Sequence, residues 1–127
     1  MRIDHFAMYV NNLEATKDFF VNFFGATSNE MYHNPKTGLK TYFLSFEGNS
    51  RLEIMTRPNL TNSEKNLYQN GYIHLAFSVG SKEKVDKLTN TLRENGYQVI
   101  SGPRITGDGY YESSILGPEN NQIEIIE

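Results

Sequence analysis

The chain runs through one series of elements and then starts it again, and that internal duplication constrains its fold more than any other feature. An alternating segment from Ile3 to Val10 leads into a helical stripe that stops at Gly25. After three further strand-like runs the same succession recurs from Tyr72, with a second helical stripe that stops at Gly96. Three landmarks measure the repeat: His5 to His74 is 69 residues, Gly25 to Gly96 is 71, and Glu53 to Glu124 is 71. A period near 70 residues that occurs only twice is too long and too few for a solenoid, so it indicates two fused modules making one domain over 1–127.

Within the first module Phe6, Met8 and Val10 lie on one face of a strand, with Ile3, His5, Ala7 and Tyr9 on the other. Asn12 is a suitable helix N-cap. Leu13, Thr16, Phe20, Phe23 and Phe24 recur at helical spacing, and Gly25 suits a left-handed C-terminal position. Strands are predicted over about 26–33, 39–47 and 51–57, separated by Asn34-Pro35-Lys36-Thr37-Gly38 and Glu47-Gly48-Asn49-Ser50. Residues 58–71 are polar, with turn formers at both ends, and read as the one long linker. In the second module Ile73, Leu75, Phe77 and Val79 oppose Tyr72, His74, Ala76 and Ser78. Ser81 caps a helix striped by Val85, Leu88 and Leu92, and strands are expected over 97–105, 109–116 and 121–127. The expected class is α+β, with two tandem βαβββ modules of about 1–57 and 72–127.

Composition narrows the function. A chain of 127 residues buries roughly two thirds of its unfolded surface, so it needs neither disulfides nor a structural metal merely to fold. Cysteine is absent, which excludes a disulfide framework, a thiolate zinc site, an iron–sulfur cluster and a cysteine nucleophile. A net charge of −3 gives no electrostatic footprint for nucleic acid or an anionic membrane. No long apolar run occurs, and the opening MRIDHFAMYV lacks the basic start and apolar core of a signal peptide. A cytoplasmic location is therefore expected, which makes the sequon at Asn59 irrelevant.

Two of the three histidines, His5 and His74, occupy equivalent points in the first strand of each module. The last strand of each sets one glutamate between branched aliphatics, as Arg51-Leu52-Glu53-Ile54-Met55 and Gln122-Ile123-Glu124-Ile125-Ile126. The aliphatic face must cover the helix, so the histidines and glutamates are expected on the opposite, concave face. Two imidazoles and two carboxylates there form a ligand set for a divalent ion such as Zn, Ni, Mn, Co or Fe(II). Two glutamates about 4 Å apart would repel by ~1–4 kcal/mol without a cation between them. His33, beside Asn34-Pro35, has no partner at a repeat position and reads as a surface residue. Arg57 reads as a solvated strand end, and the phenylalanines of the first helix as core. Tyr42, Tyr110 and Tyr111 are candidates to line a pocket, and Gly107-Asp108-Gly109 reads as a turn. No phosphate loop, nucleophile elbow or dinucleotide fingerprint is present.

The segments IDHFAMYVNNLEATKDFF, RLEIM, YIHLAFSV and GPENNQIEII together resemble the vicinal oxygen chelate superfamily over the whole chain. That superfamily includes glyoxalase I, bleomycin-resistance proteins, fosfomycin-modifying enzymes, extradiol dioxygenases and methylmalonyl-CoA epimerase. The resemblance implies that the two modules pair into a cupped, incompletely closed eight-stranded barrel, frequently completed in a homodimer. The order His5, Glu53, His74, Glu124 is similar to that of bacterial glyoxalase I, whereas the fosfomycin-modifying enzymes and dioxygenases lack the acid at the Glu53 position. By this resemblance the protein is a lyase or isomerase. The resemblance implies that a bound metal would polarise a carbonyl of a small substrate and stabilise an enediolate, with Glu124 as base and Glu53 as the counterpart acid or second base. The arginine that holds a glutathione carboxylate in glyoxalase I is Tyr9 here, which argues against glutathione, and the usual Asp-Pro-x-Gly turn is Gly117-Pro118-Glu119-Asn120. A bleomycin-resistance-like protein that sequesters a planar or basic small molecule is the alternative. An Fe(II) and oxygen enzyme ranks below both, because it would normally leave out one carboxylate.

Overall fold

In the computed structural model, which describes residues 1–127, each module starts as its alternation predicts, with a short strand followed by a capped helix. β1 (His5–Tyr9) leads into α1 (Leu13–Phe24), where the Asn12 side chain accepts from the Ala15 amide and Gly25 turns left-handed at φ 64°. The strands β2 (Thr27–Ser28), β3 (Tyr32–His33), β4 (Lys40–Ser45) and β5 (Arg51–Thr56) complete the first sheet in the order β1-β5-β4-β2, with β3 also on β4. The second series is β6 (His74–Ser78), α2 (Lys82–Glu94), β7 (Gln98–Ile105), β8 (Tyr111–Leu116) and β9 (Gln122–Ile126), in the order β6-β9-β8-β7. In both sheets the first strand lies parallel to the last and at the edge. The chain divides into two compact units, Met1–Ser63 and Glu64–Glu127.

The strand expected over 26–33 is in fact two. Thr27 and Ser28 pair with Ser45 and Leu44, whereas Tyr32 and His33 pair with Thr41 and Lys40, a register shifted by one residue. Asn29 causes the break. Its side-chain oxygen accepts from the Phe43 amide at 2.7 Å while its own amide donates to the Phe43 carbonyl, so a side chain replaces a ladder bond and the extra residue is absorbed there. The total is nine short strands rather than eight.

The first core sits between α1 and one face of its sheet, where Val10, Leu13, Phe19, Phe20, Leu44, Leu52 and Ile54 are buried. Burying one such aliphatic side chain contributes about 1.5–3 kcal/mol. Phe19 enters this core, and Phe23 and Phe24 remain half-buried in the last turn, tilted against the Phe19 ring at 5.5 and 5.4 Å. In the second unit Val85 and Leu92 pack with Ile115, Ile123 and Ile125. Thr89 and Ser113 are fully buried among them. The Thr89 hydroxyl donates to the Val85 carbonyl at 2.6 Å, so the 2.6 Å contact between the two hydroxyls is donated by Ser113.

Candidate functional site

The parallel register of β1 on β5 pairs His5 with Arg51, Ala7 with Glu53 and Tyr9 with Met55, which sets these six residues on the face away from α1. His5 Nε2 stands 3.6 Å from Glu53 Oε2. The other carboxylate oxygen, Oε1, accepts a hydrogen bond from the hydroxyl of buried Thr41 at 3.0 Å. Behind the imidazole, Nδ1 lies 3.0 Å from Asp4 Oδ2, and Arg51 reaches the same oxygen. Hydrogen bonds from His5 and then from Arg51 hold the Asp4 carboxyl below its usual range. The edge of the His5–Phe43 pair is T-shaped at 5.4 Å between centroids, and the Arg51 guanidinium covers the Phe43 ring at 4.7 Å.

The second unit repeats the pair in the same register. β6 on β9 places His74 beside Gln122 and Ala76 beside Glu124, with His74 Nε2 at 3.4 Å from Glu124 Oε2. The surroundings differ. Glu112 occupies the position that Thr41 holds in the first unit. Burial, and then the neighbouring Glu124 carboxylate to which it hydrogen-bonds, push its carboxyl above the usual range. Arg104 approaches Glu112 at 3.9 Å. Register shifts on either side of Ser101 bring Arg104 opposite Glu112. Gly102, between them, has φ 75° and lies so close to the Glu112 carbonyl that a Cβ would meet it at 2.4 Å, so only glycine fits.

Separations of 3.4 and 3.6 Å are too long for a good hydrogen bond. They suit two donors bound to one ion: with metal–ligand distances of about 2.0–2.2 Å, neighbouring ligands lie about 3.0 Å apart at a right angle and about 3.4 Å apart at the tetrahedral angle. Each unit therefore presents one nitrogen and one oxygen with a chelating bite. No cluster of three or more His, Asp or Glu residues suited to a metal ion is found.

The tyrosines divide. Tyr42 and Tyr111 face the helices rather than the His–Glu side, with their hydroxyls donating to Glu14 at 2.8 Å and to Asp86 at 2.7 Å. Strand parity decides this, since Tyr42 is in register with buried Ile54. Tyr110 is exposed just before β8, and Tyr9 lies half-exposed on the His5 face. His33 and Arg57 are exposed, as expected. Gly107-Asp108-Gly109 is a turn closed by Thr106, whose hydroxyl accepts from the Tyr110 amide. Sequence reasoning missed Asp4, Thr41, Phe43, Arg51, Arg104 and Glu112. The repeat itself was the available signal: aligning the modules on their His–Glu pairs sets Thr41 against Glu112, Phe43 against Ser114 and Arg51 against Gln122.

A duplicated βαβββ unit that carries a histidine on its first strand and a glutamate on its last, both on the helix-free face, defines a class of protein. The chain belongs to the Glyoxalase/Bleomycin resistance protein/Dioxygenase superfamily, whose profile matches residues 2–125. It is similar to the uncharacterized protein YqjT of Bacillus subtilis (strain 168), with 26% identity covering 96% of this chain and 95% of that protein. Among solved structures, a glyoxalase family protein from Bacillus cereus shares the fold with a TM-score of 0.87 at 17% identity, covering 100% of this chain and 93% of the other. The trypanothione-dependent glyoxalase I of Leishmania major shares it with a TM-score of 0.79 at 18% identity, covering 100% of this chain and 86% of the other. Neither helix of the chain is long and apolar enough to cross a membrane.

Proposed function

We propose that the protein is a metal-dependent lyase or isomerase of glyoxalase type, acting on a small substrate with adjacent oxygens, and that His5, Glu53, His74 and Glu124 are the ligands of one divalent ion. The observation that carries this reading is the twofold recurrence of a 3.4–3.6 Å imidazole–carboxylate bite at the same strand positions. A bound Zn, Ni, Mn, Co or Fe(II) ion supplies Lewis-acid polarisation of a carbonyl oxygen. The two carboxylates have different work. Glu53 is tied on its outer oxygen by the Thr41 hydroxyl and is suited to stay in place. Glu124 has a carboxyl rather than a hydroxyl at the equivalent point. Its partner there, the Glu112 carboxyl, is itself held above the usual range and hydrogen-bonds to Glu124. Glu124 is thus the carboxylate with a proton-exchanging neighbour and is assigned to take the proton from the carbon beside the carbonyl and return it to the neighbouring carbon. Glu53 serves as counterpart acid or second base. The half-exposed phenol of Tyr9, where an arginine would hold a glutathione carboxylate, favours a substrate without that carboxylate.

Metal analysis of protein purified without added metal or chelator tests the first step, and traces only, with no uptake of Zn, Ni, Mn or Co on titration, would end the reading. Turnover of hemithioacetals tests the second. The Glu124→Gln variant is expected to retain metal and lose proton abstraction, because an amide oxygen can coordinate but is not a useful base. By the same family resemblance a homodimer is expected, which sedimentation equilibrium would read. Tyr9 also carries a second reading: its exposed ring beside Met55 on the site face would suit stacking of a planar ligand in a sequestering protein without catalysis. Binding of such ligands by metal-free protein would favour it.

A further inference from the structure

The two units match in their His–Glu pairs and differ in the groups that hold those pairs. In the first half Asp4 lies against His5 Nδ1 at 3.0 Å, Arg51 grips the same Asp4 oxygen, and Phe43 meets the imidazole ring at 5.4 Å with the Arg51 guanidinium over it. At the equivalent points of the second half stand Ile73, Gln122 and Ser114. Ile73 has no acceptor in its side chain, Ser114 has no ring, and the Gln122 Oε1 atom is buried with no hydrogen-bond partner.

A carboxylate can only accept, so the Asp4 contact requires the proton of a neutral His5 to sit on Nδ1. That leaves the Nε2 lone pair free, and Nε2 is the atom aimed at Glu53. We propose that Asp4, braced by Arg51, is a positioning residue that fixes His5 as the Nδ1–H tautomer, and that the half-site built on His74 has no counterpart of this clamp. The consequence is a division of labour along the duplication. The His5–Glu53 pair, tied at Asp4 and at Thr41, is the preorganised anchor, whereas His74 has no such brace and Glu124 is held only through its hydrogen bond with the Glu112 carboxyl. In its consequence for the ion this rests on the metal reading; in its consequence for the imidazole it does not.

The test begins with metal-free, 15N-labelled protein at an alkaline pH chosen so that the nitrogen shifts no longer change with pH. Long-range proton–nitrogen NMR correlations report which ring nitrogen carries the proton. Wild type and Asp4→Asn, whose amide oxygen still accepts, are expected to show His5 protonated on Nδ1. Asp4→Ala is expected to move that proton toward Nε2 while leaving His74 unchanged. Asp4 and Arg51 are both substantially exposed, so these variants should fold, and Arg51→Gln gives an independent, smaller displacement of the same signal. Zn titration then reads the second consequence: Asp4→Ala is expected to bind about 10–100-fold more weakly, with Asp4→Asn within a few-fold of wild type. An unmoved His5 tautomer in Asp4→Ala, or Zn affinity equal to wild type, would overturn the clamp. A shifted tautomer in a protein that takes up no metal in any form would leave the imidazole clamp standing and remove the metal reading instead.

Discussion

Thr41→Val removes one atom's worth of chemistry from the first half-site and little else. Thr41 is 6% exposed, its side chain projects toward Glu53, and valine has nearly the same shape, so the variant exchanges a hydroxyl for a methyl group without opening a cavity. The loss is the 3.0 Å hydrogen bond donated to Glu53 Oε1. A hydrogen bond to a charged group contributes about 1.5–3 kcal/mol, and failure to replace it would weaken binding of a divalent ion by roughly one to two decades. Removing outer partners of metal ligands typically costs about 10–100-fold, so two independent routes give the same magnitude. Isothermal titration of the metal-free variant with Zn and Co measures it, alongside the metal-free melting curve as a control on folding. The opposite exchange, Glu112→Thr, sets a hydroxyl at the same point of the second half and is expected to tighten metal binding while slowing any proton transfer that needs Glu124 to move. Thr41→Val with metal affinity within twofold of wild type would refute the assignment of Thr41 as the group that fixes Glu53.

Chelation of bound metal is expected to lower Tm, since an ion present at a thousand times its dissociation constant adds about 4 kcal/mol to the folded state; an unchanged melting curve, with metal loss confirmed, would count against a tight site. Thr89→Ala should cost about 1–3 kcal/mol in denaturant unfolding, because it leaves the fully buried Ser113 hydroxyl without its acceptor, and Ser113→Ala added to it should cost less than the two single changes together. Glu14 accepts from Lys17 and Tyr42, in that order of importance, and these bonds lower its folded pKa below the unfolded value. Its contribution is thus present above the unfolded value and lost as pH falls through the folded one, so the stability gap between wild type and Glu14→Gln should be full at neutral pH and narrow as pH falls below the ordinary glutamate range in chemical denaturation.

What the sequence disclosed depended on whether periodicity or pairing carried the information. Both helices, their caps at Asn12 and Ser81, and the faces of β5 and β9 follow from spacings of 3.6 and 2, which each residue reports locally. The split at Asn29 does not, because an asparagine that accepts from Phe43 looks no different in sequence from one in solvent. Tyr42 and Tyr111, candidates to line a pocket, fall on the helix side by the same period of 2, with their hydroxyls on Glu14 and Asp86. The His–Glu pairs were legible because duplication preserved them, and a repeated polar residue stands out against a varying background. The groups that hold the pairs were illegible for the converse reason: Asp4 and Ile73, Thr41 and Glu112, Phe43 and Ser114, and Arg51 and Gln122 occupy matching positions but differ in kind. A search for symmetry discards such positions as noise. On the proposed function these differences carry the functional content, since identical supports at Thr41 and Glu112 would give the two glutamates the same hydrogen-bond partner and no reason for one to act as base rather than the other.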